Sequence, residues 1–497
     1  MLDFRKVRAG RSREVRGICA VANVTTAQYF NWWSDPSLTP KRRCHMRDAC
    51  YRADEMTLTL PLIVALALAQ TASETRSTEF RVREGGEAVA TIAAGCERCD
   101  WSAAGREGVL LELTLDGAYS QHIALTRGSA VTEYRVMLGP VTAGAHRLTI
   151  ARDQKRSAAG AGSVQFGAIN VNVTRPASSD YEWISRAPML RARPGTVEKF
   201  SDFPLVMYAE RNISGESGSR YRLQYTVIFT NEDGGTPTDR LMATWGRTTD
   251  IEFIYGLTEP EAGAAPREEI QAAGHKWIPF QGPRAGAHPI VWVATENNMV
   301  ADHGADDLIR FAPAPQLVSL TGASREKVMD DNPWMYAVTS AEMLREHRVD
   351  PAATPGSGRI VDPRRYATVE ACGAVKDATL AFDIGVRGAD GELKWFATDT
   401  DPRFRIARGG CFRGGAPLPE GTMLAQIIGL RIRANARPAR ADETTAPKGS
   451  VVLEQVTKIF MLDEQFVPRS APASWKGSLD IKTDGTPVVV PVAPPAR

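Results

Sequence analysis

Asp250 and Glu252 stand two apart in the run TTDIEFIY. Side chains two apart in a strand share a face, so both carboxylates can serve one site. Upstream, NEDGGTPTD places Asn231, Glu232, Asp233 and Asp239 on an acidic, glycine-rich turn. Downstream, ENNMVADHGADD carries Glu296, Asn297, Asn298, Asp302, His303, Asp306 and Asp307, the densest polar constellation in the chain. Hard oxygen ligands of this kind suit calcium, and a carboxylate beside an imidazole suits acid–base work. Carboxylates gathered together repel one another unless a cation or a proton sits among them. The set expected to hold a metal is Asp250, Glu252 and Asp302. The wider ligand-binding set adds Asp233, Asp239, Glu296, Asn298 and His303. A plainer reading competes: solvated turns, with a buried salt bridge to Arg240 or Arg247, because turn chemistry alone selects Asn, Asp and Gly.

The elements that must position these residues read as strands. Tyr221, Leu223, Tyr225, Val227 and Phe229 alternate with Arg222, Gln224, Thr226 and Ile228, the period of a strand with one buried face. Ile251, Phe253 and Tyr255 repeat it. Residues 288–295 form a compact apolar strand whose end delivers the polar segment to a loop, where sites are usually built. PREEIQAAGHKW predicts a short helix opened by Pro266. Residues 201–320 are therefore a β-rich middle domain. Residues 175–200, rich in Pro, Ser and Arg, read as a linker into it.

Short alternating runs punctuated by glycine or proline recur over residues 76–174 and again within 321–470. SREKVMDDN and SAEMLREHRV open the later module as helices, with Ser324 and Ser340 as N-caps. The expected fold class is mainly β: two antiparallel β-sandwich modules, jelly-roll-like, flanking a β-rich middle domain with a few short helices. Residues 471–497 read as an extended, proline-containing tail.

The runs LELTLDG, YRVMLGPVTAGAHRLTI and GSVQFGAINVNV resemble galactose-binding-like and carbohydrate-binding β-sandwich modules. Residues 357–465 end in a similar string, GSVVLEQVTKIFML. The resemblance implies a jelly-roll-like fold and sugar binding, and no motif carries a binding residue across. Trp101, Tyr119, His122 and Tyr134 are candidates for a sugar platform, against the commoner use of strand aromatics as core. TTDIEFIYGL followed by HPIVWVATENNMVADHG is similar to the strand-then-HP-V-V-A arrangement of vacuolar-sorting-type β proteins. Those usually read G-D-W-E where this chain has Thr249, Asp250, Ile251 and Glu252, and the family implies no particular chemistry.

Composition and leader set the compartment. Residues 1–55 carry 11 Lys/Arg and 6 Asp/Glu, and residues 70–497 carry 49 and 52, so charge does not mark a nucleic-acid binder. Residues 56–69, MTLTLPLIVALALA, form a short apolar run ending in a small-x-small pattern. They read as a signal peptide, too short for a comfortable membrane span. On this reading Met56 is the start, residues 1–55 are a gene-model extension, and the mature chain has no transmembrane span. A cytoplasmic tail with an uncleaved anchor is the rival. Cys44, His45 and Cys50 lack a second ligand pair for zinc. Cys96, Cys99, Cys372 and Cys411 follow the leader, an even count suited to disulfides in a secreted or periplasmic protein. Cys372 with Cys411 is the preferred pair, since both belong to one module.

The chain has no G-x-S-x-G, H-E-x-x-H, P-loop or dinucleotide fingerprint. The expected function is binding of a glycan or another surface polymer. The alternatives are an extracellular polysaccharide hydrolase or lyase with a carboxylate/His site in the middle domain, and a structural or adhesive surface protein.

Overall fold

A computed structural model describes residues 74–214, 220–259, 266–440 and 443–492. The leader at 56–69, the stretch before it and its cysteines lie outside the described residues. The protein is mainly β, built from largely antiparallel sheets packed in pairs, with a few short helices.

The first pair forms a sandwich. One sheet orders Thr75–Val82, Gly144–Arg152, Leu110–Leu115 and Ala118–Ala124. The other places Gly86–Cys96 between Thr132–Val141 and Val164–Thr174. Period-two alternation sends Ala88, Ala90, Ile92 and Ala94 inward against Leu111, Leu113, Leu148 and Ile150, all fully buried. The small alanines let the two sheets approach closely. Cys96 and Cys99 form a disulfide where the strand Gly86–Cys96 ends.

The middle region is also two sheets. A six-stranded sheet runs Lys276–Pro279, Glu268–Ala272, Ile251–Thr258, Arg220–Phe229, Pro204–Ser214 and Gln316–Leu317. Met207, Leu223, Tyr225, Val227 and Tyr255 pack from it onto Leu190, Val291 and Val293 of the second sheet. Three expectations change here. The segment read as a linker supplies Met189–Arg191, which pairs in parallel with His288–Val293 inside that second sheet. The helix expected after Pro266 is a hairpin, Glu268–Ala272 with Lys276–Pro279, turning through Gly274 at φ 72 and His275 at φ 56. Ile270, fully buried, supplies its inward side chain. Finally, the acidic turn continues into a helix, Thr238–Trp245, so Asp239 sits in a first helical turn.

The third pair places Gly410–Pro417, Tyr366–Lys376 and Ser450–Leu462 against Leu393–Ala397, Ala378–Arg387 and Ile427–Ala436. Cys372 and Cys411 face each other in register and are disulfide-bonded. Residues 471–492 of the expected extended tail are stitched in instead. Trp475–Ile481 pairs with Ser450–Leu462, and Val488–Val489 with Ile427–Ala436.

Helices Lys327–Asp331 and Trp334–Arg345 lie between these layers. Ser340 is buried inside the second helix rather than capping it, and the Ser324 hydroxyl donates to Glu370 at 2.9 Å. Trp101 donates its indole N–H to Glu342 at 2.7 Å, and Arg345 donates to the Trp101 carbonyl at 2.8 Å. Arg413, fully buried, pairs with Glu370 and Asp330 and donates to Tyr336 at 3.0 Å. Among the described residues no helix is long and apolar enough to cross a membrane.

Candidate functional site

The acidic turn and the strand-end segment meet at Asn298. This residue is fully buried with φ 56, a left-handed conformation that asparagine tolerates better than most residues. Its Nδ2 lies 3.1 Å from the Asn231 carbonyl, 3.2 Å from Asp250 Oδ2 and 3.5 Å from Asp202 Oδ1. Gly234 N–H donates to the Glu296 carbonyl at 3.2 Å, closing the turn onto the segment. Asp250 also accepts from the Ile251 N–H at 2.9 Å, and Arg247 Nη1 lies 3.9 Å from Asp250 Oδ1. Asp233 is held by Arg193, by the Ser201 hydroxyl and by Asn231 Nδ2.

Other expected members are placed elsewhere. Asp239 Oδ2 accepts from Gly356 N–H at 2.8 Å and Gly358 N–H at 3.1 Å, tying its helix to a neighbouring loop. Asp302 accepts from Gln281 N–H at 3.0 Å and faces His303 Nδ1 at 2.6 Å, and the His303 side chain is 89% exposed. The expected calcium set of Asp250, Glu252 and Asp302 is thus not brought together. The reason is the strand Val300–Ala301, which runs back along His288–Val293. At about 3.3 Å per residue it carries Asp302 roughly 13 Å of chain beyond Asn298.

The crowding of carboxylates is resolved by other means. Burial and the charge of Asp233 push Asp202 up to about 9. Burial and Asp250 push Glu232 up to about 7 and Glu252 well above the usual carboxylate range. Asp250 is raised by burial, and Arg247 opposes the rise. Protons, the Asn298 amide nitrogen and the guanidinium groups of Arg193 and Arg247 therefore sit where the sequence reading placed a cation. Asp202 was not legible as a member, because SDFP gives no signal beyond a turn before a strand.

A second concentration of chemistry lines a cleft of about 900 Å³ between the six-stranded sheet and the third sandwich. Glu210 and Gln224 come from paired strands of the sheet. Trp245 ends the helix Thr238–Trp245, and Arg325, Glu326 and Arg408 approach from the helix Lys327–Asp331 side and the third module. The Trp245 ring has three guanidinium groups around it: Arg408 at 4.9 Å, Arg247 at 5.8 Å and Arg240 at 6.0 Å. Gln224 Oε1 is buried without a hydrogen-bond partner among the described residues.

Two carboxyls in this cleft have opposite environments. Burial pushes Glu210 up to about 7, with Arg325 opposing. Burial also acts on Glu326, but Arg247, Arg413, Arg408 and Arg325 outweigh it and hold the group at about 2. Arg247 Nε is 3.2 Å from Glu326, so this one guanidinium serves both the cleft wall and the buried cluster.

Of the aromatic candidates of the first module, Tyr119 is 39% exposed, while Trp101 and His122 are buried. Trp101 is 3% exposed and packs edge-on against Phe200 and Phe203. In the third module Trp395 lies over Gly385 and Gly429, and Arg431 covers its other face at 3.6 Å.

No family model matches the chain, and no curated protein matches it. Among solved structures, that of a ruminal GH26 endo-β-1,4-mannanase aligns over 29% of this chain and 28% of its own, at 13% identity and a TM-score of 0.17. A likeness of that extent carries no argument about fold or activity.

Proposed function

We propose that the chain is a secreted or periplasmic protein that binds a glycan or another polar surface polymer in the cleft between the six-stranded sheet and the third sandwich. The carrying observation is the cleft itself: about 900 Å³, edged by Trp245 and walled by Arg211, Arg325 and Arg408, with Gln224 presenting an unpaired buried oxygen. An aromatic ring suits the C–H surface of a sugar, and guanidinium and amide groups suit its oxygens. The two disulfides suit an oxidising compartment. The resemblance of residues 76–174 to galactose-binding-like modules agrees with a glycan ligand, but the site is assigned to the cleft.

Calorimetry with neutral and uronate-containing oligosaccharides tests this. Binding that weakens about tenfold or more in Trp245→Ala and Gln224→Ala is the expected result. Absence of binding to every oligosaccharide removes the reading.

A hydrolase or lyase acting on the same polymer is the second reading, favoured by the opposite protonation of Glu210 and Glu326 on one cleft. It requires new chain ends to accumulate with wild type and not with Glu210→Gln. A polymer left uncut by wild type eliminates it.

A further inference from the structure

We propose that Glu112, His122 and Asp153 form a binding site for one zinc ion on the first sandwich. Glu112 and His122 come from adjacent strands, and Asp153 lies just past the end of the strand on the other side of Leu110–Leu115. Glu112 is the direct register partner of His122 across Leu110–Leu115 and Ala118–Ala124. Asp153 follows Arg152, whose register partner is Leu111 in the same central strand. The sheet thus brings to one level three residues that the sequence scatters over 42 positions, from 112 to 153.

The spacing fits the metal. One ligand atom from each residue lies within 4.8 Å of the others. His122 Nε2 is 3.2 Å from Asp153 Oδ2 and 3.9 Å from Glu112 Oε2. Tetrahedral zinc with bonds of about 2.0–2.2 Å has ligand–ligand edges of about 3.3–3.6 Å. Small side-chain adjustments therefore close the site around an ion. A neutral imidazole nitrogen with two carboxylate oxygens is a zinc donor set, and it leaves one position for water.

The surroundings orient the ligands. His122 Nδ1 faces the Tyr119 hydroxyl at 3.0 Å, and that oxygen already accepts from the Arg310 N–H at 2.9 Å. With Nδ1–H donating to Tyr119, the Nε2 lone pair points to the carboxylates, as a metal-ligating histidine requires. Asp153 Oδ1 accepts from the N–H groups of Lys155 at 3.0 Å and Arg156 at 3.1 Å, which fixes where Oδ2 points. The imidazole is only 2% exposed while Glu112 is 44% exposed, so the site is anchored from below and reached from solvent.

One group stands against the ion. Arg156 Nη1 lies 2.9 Å from Asp153 Oδ2 and supplies a competing positive charge. Its side chain is 35% exposed, so it can withdraw into solvent. The metal-free arrangement is the competing account: His122 as the Nε2–H tautomer donating to Asp153, with Arg156 completing the pair. The two accounts differ in what Arg156 does. In the zinc account it is a rival for the carboxylate, and in the other it is a partner.

The test is calorimetric titration of the full exported chain, stripped with chelator, with zinc chloride. One equivalent is expected. Affinity should fall about tenfold or more in His122→Ala and in Glu112→Gln, and it should rise in Arg156→Ala. No zinc uptake by wild type, or equal uptake in wild type and Glu112→Gln, overturns the site. Loss of affinity in Arg156→Ala also overturns it. Because His122→Ala removes a buried hydrogen-bonding group, cobalt substitution of the wild type gives a readout without a variant. Intense visible absorption of tetrahedral cobalt with nitrogen and oxygen donors is expected, and the weak absorption of hydrated cobalt alone overturns the proposal.

Discussion

The turn at 231–236 and the cleft bounded by Glu210 and Arg408 share Arg247 and differ in what answers their charge. In the turn, acidic side chains close on one another. Asn298 Nδ2 occupies their centre, and burial raises the Asp202 carboxyl to about 9, Glu232 to about 7 and Glu252 well above the usual carboxylate range. Most of its polar atoms are used by the fold, and Asn298 Oδ1 is left without a hydrogen-bond partner among the described residues. In the cleft the guanidinium groups outnumber the carboxylates, Glu326 is held ionised, and Gln224 keeps an unsatisfied oxygen. A polar cluster whose donors and carboxylates close on one another without a cavity is architecture. A polar surface that leaves donors and acceptors facing a cavity is where a ligand can gain something.

The difference can be broken most forcefully at Arg247. Arg247→Ala strips Glu326 of its nearest cation and removes the positive charge beside Asp250, both within the interior. A loss of about 3–5 kcal/mol is expected in urea unfolding. A loss below about 1 kcal/mol would mean that the two regions do not depend on this residue.

Asn298→Ala comes next. It leaves three acceptors without their shared donor and places a β-carbon residue less tolerant of positive φ at φ 56. About 2–3 kcal/mol should be lost. Calcium should not restore the variant, and restoration by millimolar calcium would instead show that the carboxylates were built for a cation.

The pH profile separates the two regions without changing a residue. Asp202 near 9 and Glu232 near 7 bind protons in the folded chain at pH values where the unfolded chain has lost them. Fewer protons in the unfolded state means that stability falls as pH rises, from the unfolded carboxylate values near 4 up through 7 and 9. Glu326, near 2, acts in the opposite sense: its contribution is present above the unfolded value and lost as pH falls toward 2. The melting temperature should therefore be highest near pH 5 and decline by several degrees toward pH 9. Asp202→Asn should flatten the alkaline decline, and an unchanged slope contradicts the assignment.

The smallest effect on stability belongs to the cleft. Trp245→Ala and Gln224→Ala should each change unfolding free energy by about 1 kcal/mol or less, while removing oligosaccharide binding. Destabilisation as large as that of Asn298→Ala would assign the cleft to architecture too.

Sequence periodicity was enough for the strands at 221–229 and 251–255, because alternating buried and half-buried positions open each strand, although further along both faces are buried. It misled at Glu268–Ala272, where Glu, Gln and Ala favour helix in isolation. Pairing with the edge of Ile251–Thr258 and burial of Ile270 override that preference. The meeting of residues 231–234 with 296–298 was legible, because both lie at the ends of recognisable strands. The departure of Asp302 was not, since it depends on Val300–Ala301 doubling back. Glu210, Arg325 and Arg408 are separated by more than eighty positions each, and Glu112 and His122 meet only through hairpin register. Local spacing cannot carry such encounters. The cysteine pairs were legible from their even count and grouping.

The helix Trp334–Arg345 bears on inheritance. At one end Glu342 and Arg345 hold Trp101 of the first sandwich, and at the other Tyr336 accepts from Arg413 of the third. A sandwich that travels between genes must be able to leave with a surface water will accept. Here excision of the first would take from the buried Glu342 its Trp101 donor, and excision of the third would take from Asp330 both of its cations, Arg413 and Lys458. Cutting the chain at either seam therefore leaves buried polar groups short of partners, and the sandwiches are held as one unit by these contacts.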